Sequence, residues 1–158
     1  MLPIDNFFRA AARWPNRLAV EISTEKEQRK ISYQDLANQV NALAVALQAI
    51  DPAPQTCVGI CAYNSFEHLL GWLATFAAGK VWVPLNPRNG RSELDRIIDL
   101  TAPSIIIFDA DCDEKFGTVS THLHHANVMA VVFPLPRANL HNAVDATIRR
   151  QRSICFRP

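Results

Sequence analysis

The stretch VGICAYNSFEHLLGWLATFAAGKVWVPLNPRNGRSELDRIIDLTAPSIIIF, residues 58–108, decides the fold. Three short apolar runs, at 58–62, 81–84 and 105–108, alternate with two segments of helical periodicity. Strands covered on both faces read as unbroken apolar runs, and parallel neighbours need a crossover helix between them. The stretch is therefore a β-α-β-α-β unit. Asn64 with Glu67 reads as the cap of the first crossover helix, which runs through Ala78; Gly79 fits the left-handed position that closes it, and Lys80 is the turn into the next strand. Ser92 with Asp95 reads as the cap of a helix over 93–100, with Leu94, Ile97 and Ile98 as its inner face and Pro103 as its stop.

Upstream, Asp5 reads as the cap of a helix over 6–14 that Pro15 ends. Leu18, Val20 and Ile22 alternate with polar residues, the polar run 24–30 turns the chain, and Ile31 and Tyr33 resume the alternation, which predicts a β-hairpin. Ser32 and Asp35 resemble a capping box, and Leu36, Val40, Leu43 and Leu47 then recur at helical spacing until Asp51 and Pro52. The linker DPAPQT, 51–56, is too short to separate domains. Downstream, the spacing predicts a helix over 115–124 and a fourth strand over 128–133, after which Pro134 and Pro136 end the regular pattern. The fold class is α/β: a mostly parallel sheet of β-α-β units with an N-terminal helix and a β-hairpin.

At 158 residues the chain is one domain by length, and a domain of this size buries roughly 70% of the surface its unfolded chain exposes. Hydrophobic residues at 49% and charged residues at 20% exclude the disordered, collagenous and disulfide-scaffold classes. A net charge of +1 gives no long-range field toward nucleic acid or an anionic membrane, so neither partner is expected. Residues 137–158 stand apart, with five arginines against Asp145 alone. The expected division is an α/β body over 1–136 and a solvated or poorly ordered basic tail over 137–158. Without an apolar signal core, or a run of the 18 or so apolar residues a bilayer span needs, the expected location is the cytoplasm.

Chemistry-bearing patterns are sparse. Cys57, Cys61, Cys112 and Cys155 lack the paired spacing of a zinc site and read as reduced, mostly buried thiols. Asp109, Asp111, Asp113 and Glu114 could collect a hard cation, but the loop has no glycine at its sixth position and no acid at its twelfth, so it reads as a solvated turn. His122, His124 and His125 diverge around a helix and read as helix-end polar residues. No metal site is expected. AGK at 78–80 lacks the upstream glycine and downstream hydroxyl of a phosphate loop, and a strand follows it where the motif needs a helix. Ser65 sits between strand and helix like a nucleophile elbow but lacks the flanking glycines, and reads as a capping residue. Open parallel sheets bind ligands at the carboxyl ends of their strands, so residues facing a ligand or a neighbouring subdomain would be Asn64, Ser65, Asn86 and Arg88. Each has an equal reading as a cap or turn. No catalytic or cofactor-binding residue is assigned.

Two segments carry a family resemblance. ISYQDLANQVNALAVAL, 31–47, resembles the first core motif of adenylate-forming enzymes, and LATFAAGKVWVPLNPR, 73–88, resembles their second, a helix ending in Ala-Gly before a strand ending in Val-Pro-Leu-Asn-Pro. The lead-in NFFRAAARWPNRLAV is similar to their N-terminal opening, and the similarity covers roughly residues 4–133. The Asn-Pro-Arg ending is more like acyl-CoA synthetases than peptide-synthetase adenylation domains.

The resemblance implies an enzyme that activates a carboxylic acid with MgATP to an acyl-adenylate and passes the acyl group to coenzyme A. It also implies a Gly/Ser/Thr-rich phosphate loop, an acidic residue on the ribose and a lysine from a C-terminal domain, and these 158 residues contain no counterpart of any of them. The chain alone is therefore expected to be catalytically incomplete and to bind no cofactor, whereas a full-length member uses ATP, Mg²⁺ and CoA. Its expected partner is the missing C-terminal portion, or a second copy through an exposed apolar face. The alternative is a non-catalytic binding or assembly module on the same fold.

Overall fold

The computed structural model describes residues 2–23, 28–109 and 112, and the backbone of 129–133. It opens with helix α1 (Pro3–Arg13) and a hairpin of β1 (Leu18–Ser23) and β2 (Gln28–Ser32), then helix α2 (Tyr33–Ile50). β3 (Cys57–Cys61), α3 (Phe66–Ala77), β4 (Val81–Pro84), α4 (Arg91–Thr101), β5 (Ile105–Asp109) and β6 (Met129–Phe133) follow. β3 to β6 form one sheet in the order β4-β3-β5-β6, every pairing parallel. β1 and β2 pair antiparallel as a separate ribbon.

Strand residues divide between two cores by simple alternation. Val58, Ile60, Ile105 and Ile107 join Leu36, Val40, Leu43 and Leu47 of α2 and Phe66, Leu70 and Ala74 of α3. Cys61, Val83, Leu85, Ile106 and Phe108 join Leu94 and Ile98 of α4 on the opposite face. Ile105, Ile106 and Ile107 are fully buried in sequence. This two-sided burial is why the run shows no polar alternation.

Several boundaries differ from the sequence reading, each for a local reason. Pro3 occupies the first turn of α1, where its missing N–H costs nothing, so the helix starts before Asp5. Asp5 reaches back instead, its Oδ2 accepting the Leu2 N–H at 2.8 Å. Ser32 caps α2 as expected, with its Oγ accepting the Asp35 N–H at 3.1 Å. Its hydroxyl then donates to Asp35 Oδ2 at 2.7 Å, and Tyr33 is the first residue of α2 and no longer strand. Ser65, and not Asn64, caps α3, with Oγ accepting the His68 N–H at 3.0 Å. α4 starts at Arg91 after Gly90, without a side-chain cap, so Ser92 lies inside its first turn.

Gly79 closes α3 with φ 71°. The Gly79 N–H donates to the Phe76 carbonyl and the Lys80 N–H to the Thr75 carbonyl, the paired arrangement that satisfies a helix's last acceptors. Gly59 has a different purpose. A Cβ there would lie 2.9 Å from Leu85 Cδ1, so the missing side chain is the space that Leu85 of the β4–α4 connection fills. The expected helix over 115–124, and residues 134–158 with the basic tail, lie outside the described residues.

Candidate functional site

The carboxyl edge of the sheet carries two adjacent loops. Residues 62–65 leave β3, and residues 85–90 leave β4, with the Leu85 N–H extending the ladder to the Ile60 carbonyl at 2.9 Å. All four residues expected to face a ligand or a neighbour, Asn64, Ser65, Asn86 and Arg88, therefore sit on one edge, on strands that pair directly. Asn64, Asn86 and Arg88 are exposed and Ser65 is half-buried. No hydrogen bond joins the Asn64–Ser65 pair to the Asn86–Arg88 pair among the described residues.

Two of the four have local duties that occupy their polar atoms. Ser65 Oγ is committed to the α3 cap. Asn86 Oδ1 accepts the Arg88 N–H at 2.9 Å, and its carbonyl accepts the Asn89 N–H at 3.0 Å, which folds the Asn-Pro-Arg segment into a turn. The Arg88 guanidinium has no carboxylate partner among the described residues.

A fifth residue, Asp109, belongs to this edge. Its Oδ2 accepts the Tyr63 N–H at 3.1 Å, and His68 Nδ1 lies 3.3 Å from the Tyr63 carbonyl. Asp109 thus ties the end of β5 to the loop that leaves β3. In the sequence it reads as the first member of an acidic turn; its use follows from β3 and β5 being neighbours, 46 positions apart for this bond. Among the described residues no group of three His, Cys, Asp or Glu could hold a metal ion. Asp111, Asp113, Glu114, His122, His124, His125 and Cys155 lie outside them.

The opposite edge holds a buried polar cluster. Lys80 is buried, its side chain 1% exposed. Its Nζ donates to the Asp51 carbonyl at 2.6 Å, the Ala53 carbonyl at 2.6 Å and Thr56 Oγ1 at 2.8 Å, and lies 3.2 Å from Asp51 Oδ2. Hydrogen bonds from Ser104 and Thr56 hold the Asp51 carboxyl well below the usual carboxylate range; the Ala53 N–H and Lys80 add to this, and partial burial opposes it. Lys80 is therefore more than the turn residue read from the sequence. It fastens the 51–56 linker to the start of β4.

A wholly parallel sheet with helices on both faces, entered through a helix and hairpin, defines a doubly wound α/β scaffold. The chain belongs to the AMP-binding enzyme family, which it matches over residues 7–149, and it corresponds to the N-terminal part of adenylate-forming ligases. Among curated relatives it is 32% identical over 113 residues to AMB antimetabolite synthetase AmbB of Pseudomonas aeruginosa, covering 72% of this chain and 9% of that one. It is 23% identical over 136 residues to the polyketide synthase-nonribosomal peptide synthetase hybrid himA of Aspergillus japonicus, covering 86% of this chain and 3% of that one.

Two solved structures show the same fold. A long-chain-fatty-acid-CoA ligase (FadD1) from Archaeoglobus fulgidus superposes with a TM-score of 0.75 at 20% identity, over 91% of this chain and 29% of that one. The N-terminal subdomain of NpsA from Klebsiella oxytoca, in complex with 3-hydroxybenzoyl-AMSN, gives 0.65 at 23% identity, over 92% of this chain and 31% of that one. The chain thus spans under a third of either structure.

Proposed function

We propose that these residues form the opening scaffold of an AMP-forming acid–CoA ligase, which joins a carboxylic acid to CoA through an acyl-adenylate, and that they do not carry out the reaction alone. The observation that carries this reading is the carboxyl edge. Ser65 Oγ and Asn86 Oδ1 are occupied by backbone N–H groups two or three residues on, and Asp109 Oδ2 by the Tyr63 N–H of the neighbouring loop, so all three position the loops. Among the described residues no group of three His, Cys, Asp or Glu could hold a metal ion such as Mg²⁺. Chemistry in a full-length member needs donors aimed at the phosphates and at the charge that develops there, and these would pack over this edge.

The acid–CoA assignment rests on the Asn-Pro-Arg turn. A second reading, in which the acid is an amino acid destined for a peptide or polyketide product, is favoured by relatives such as the peptide synthetase hybrid himA. Two polypeptides would separate the two, this chain being continued by the phosphate loop and lysine domain of an acid–CoA ligase in one and of an amino-acid adenylation domain in the other. CoA thioester formation from a simple carboxylic acid supports the first reading. Adenylation of amino acids without any CoA thioester supports the second, and failure to adenylate any acid sinks both.

A further inference from the structure

The seat around Lys80 Nζ is built almost entirely by its surroundings. Three of its four oxygens, the carbonyls of Asp51 and Ala53 and the carboxylate Oδ2 of Asp51, come from the first residues of the linker, and Thr56 Oγ1 supplies the fourth from its end. The linker holds this shape through bonds of its own. Asp51 Oδ1 accepts the Ala53 N–H at 3.0 Å, and Oδ2 accepts the Thr56 hydroxyl at 2.6 Å. Gln55 takes φ 60°, and its N–H donates to the Gly79 carbonyl at 3.0 Å. The oxygens are thus gathered by backbone turns and by one carboxylate, and Lys80 reaches them from the strand side.

We propose that the Asp51–Thr56 turn is a monovalent-cation seat, with the Lys80 ammonium as its tethered occupant. Potassium and ammonium are both satisfied by carbonyl and hydroxyl oxygens that replace a hydration shell. One carboxylate with three neutral donors matches a single positive charge. Calcium and magnesium carry two positive charges, which a seat with a single carboxylate leaves half-neutralised, so neither suits it. The three short contacts use all three protons of an ammonium, and the carboxylate neutralises it. Shortening Lys80 therefore vacates a formed seat that a free monovalent cation can enter.

The test uses the full chain with Lys80→Ala, melted in potassium, ammonium and tetramethylammonium chlorides at equal ionic strength. The variant is expected to be less stable than the parent in tetramethylammonium, which is too large to enter. In potassium or ammonium its folding constant should rise about tenfold per tenfold rise in cation above the dissociation constant. The parent and the Lys80→Ala, Asp51→Asn double variant should show no difference among the salts. Equal melting of Lys80→Ala in all three salts overturns the proposal, as does a salt preference that survives Asp51→Asn. If Lys80→Ala does not fold in tetramethylammonium, n-propylammonium, the fragment that the substitution removes, becomes the probe. Recovery of the helical circular-dichroism signal supports the seat, and its absence overturns it.

Discussion

At the scale of single residues the most consequential side chain is Lys80. Removing one partner of a buried ion pair leaves the other desolvated, so Asp51→Asn is expected to cost roughly 3 kcal/mol in urea unfolding near neutral pH. The carboxylate also sets an acid dependence. Its folded pKa is lowered, so its stabilisation is fully present above the unfolded carboxylate value of about 3.9 and is lost progressively as pH falls below that toward the folded value. Unfolding midpoints measured from neutral pH downward should therefore fall less steeply for Asp51→Asn than for the parent. Ser65 and Asn64 offer a second test at this scale. Ser65→Ala removes the α3 cap and should cost about 1 kcal/mol, whereas Asn64→Ala should fall within about 0.5 kcal/mol of the parent. The Lys80 seat could not be read from the sequence, because two of its acceptors are backbone carbonyls, 29 and 27 positions away, and carbonyls have no residue signature. Asp109 was hidden for a related reason: its partner is the backbone N–H of Tyr63.

At the scale of elements, legibility follows the physical signal each element emits. The Ile105–Asp109 strand is plain in the sequence because burial on both faces demands an apolar run, and Gly79 is plain because a helix that closes in the left-handed conformation favours glycine there. Helix starts are less plain, since any of several nearby polar residues can cap. Asp5, Asn64 and Ser92 all have suitable side chains, but the chain path gave the starts to Pro3, Ser65 and Gly90. Two glycines on neighbouring elements should respond differently to the same substitution. Gly59→Ala drives a methyl into Leu85 and should cost about 1–3 kcal/mol, and less than that when introduced into a Leu85→Ala background. Gly79→Ala meets no atom within 4 Å and should cost only about 1 kcal/mol, from its positive φ. No change at Leu85 should offset it. Urea midpoints for each glycine variant, in the parent and in the Leu85→Ala background, would check both statements.

At the scale of the whole molecule, the sheet and its two cores are complete enough to define the fold, while the carboxyl edge is occupied with holding its own loops. The described helices include none long and apolar enough to cross a membrane. Apolar side chains do remain outside, with Leu100 of α4 76% exposed, Val45 of α2 64% and Val81 of the edge strand β4 45%. A scaffold meant to be covered by further subdomains is expected to associate with itself when isolated. Size-exclusion chromatography with light scattering should then report a mass above that of the monomer, and a clean monomer at all concentrations counts against this reading.

As proposed, these residues are a ligase scaffold that does not carry out the ligase reaction alone. Pyrophosphate release from MgATP by the purified chain, measured across a panel of carboxylic and amino acids, tests this most directly. No release above the protein-free background is expected with any acid. Sustained, acid-dependent turnover by the chain alone would contradict the claim.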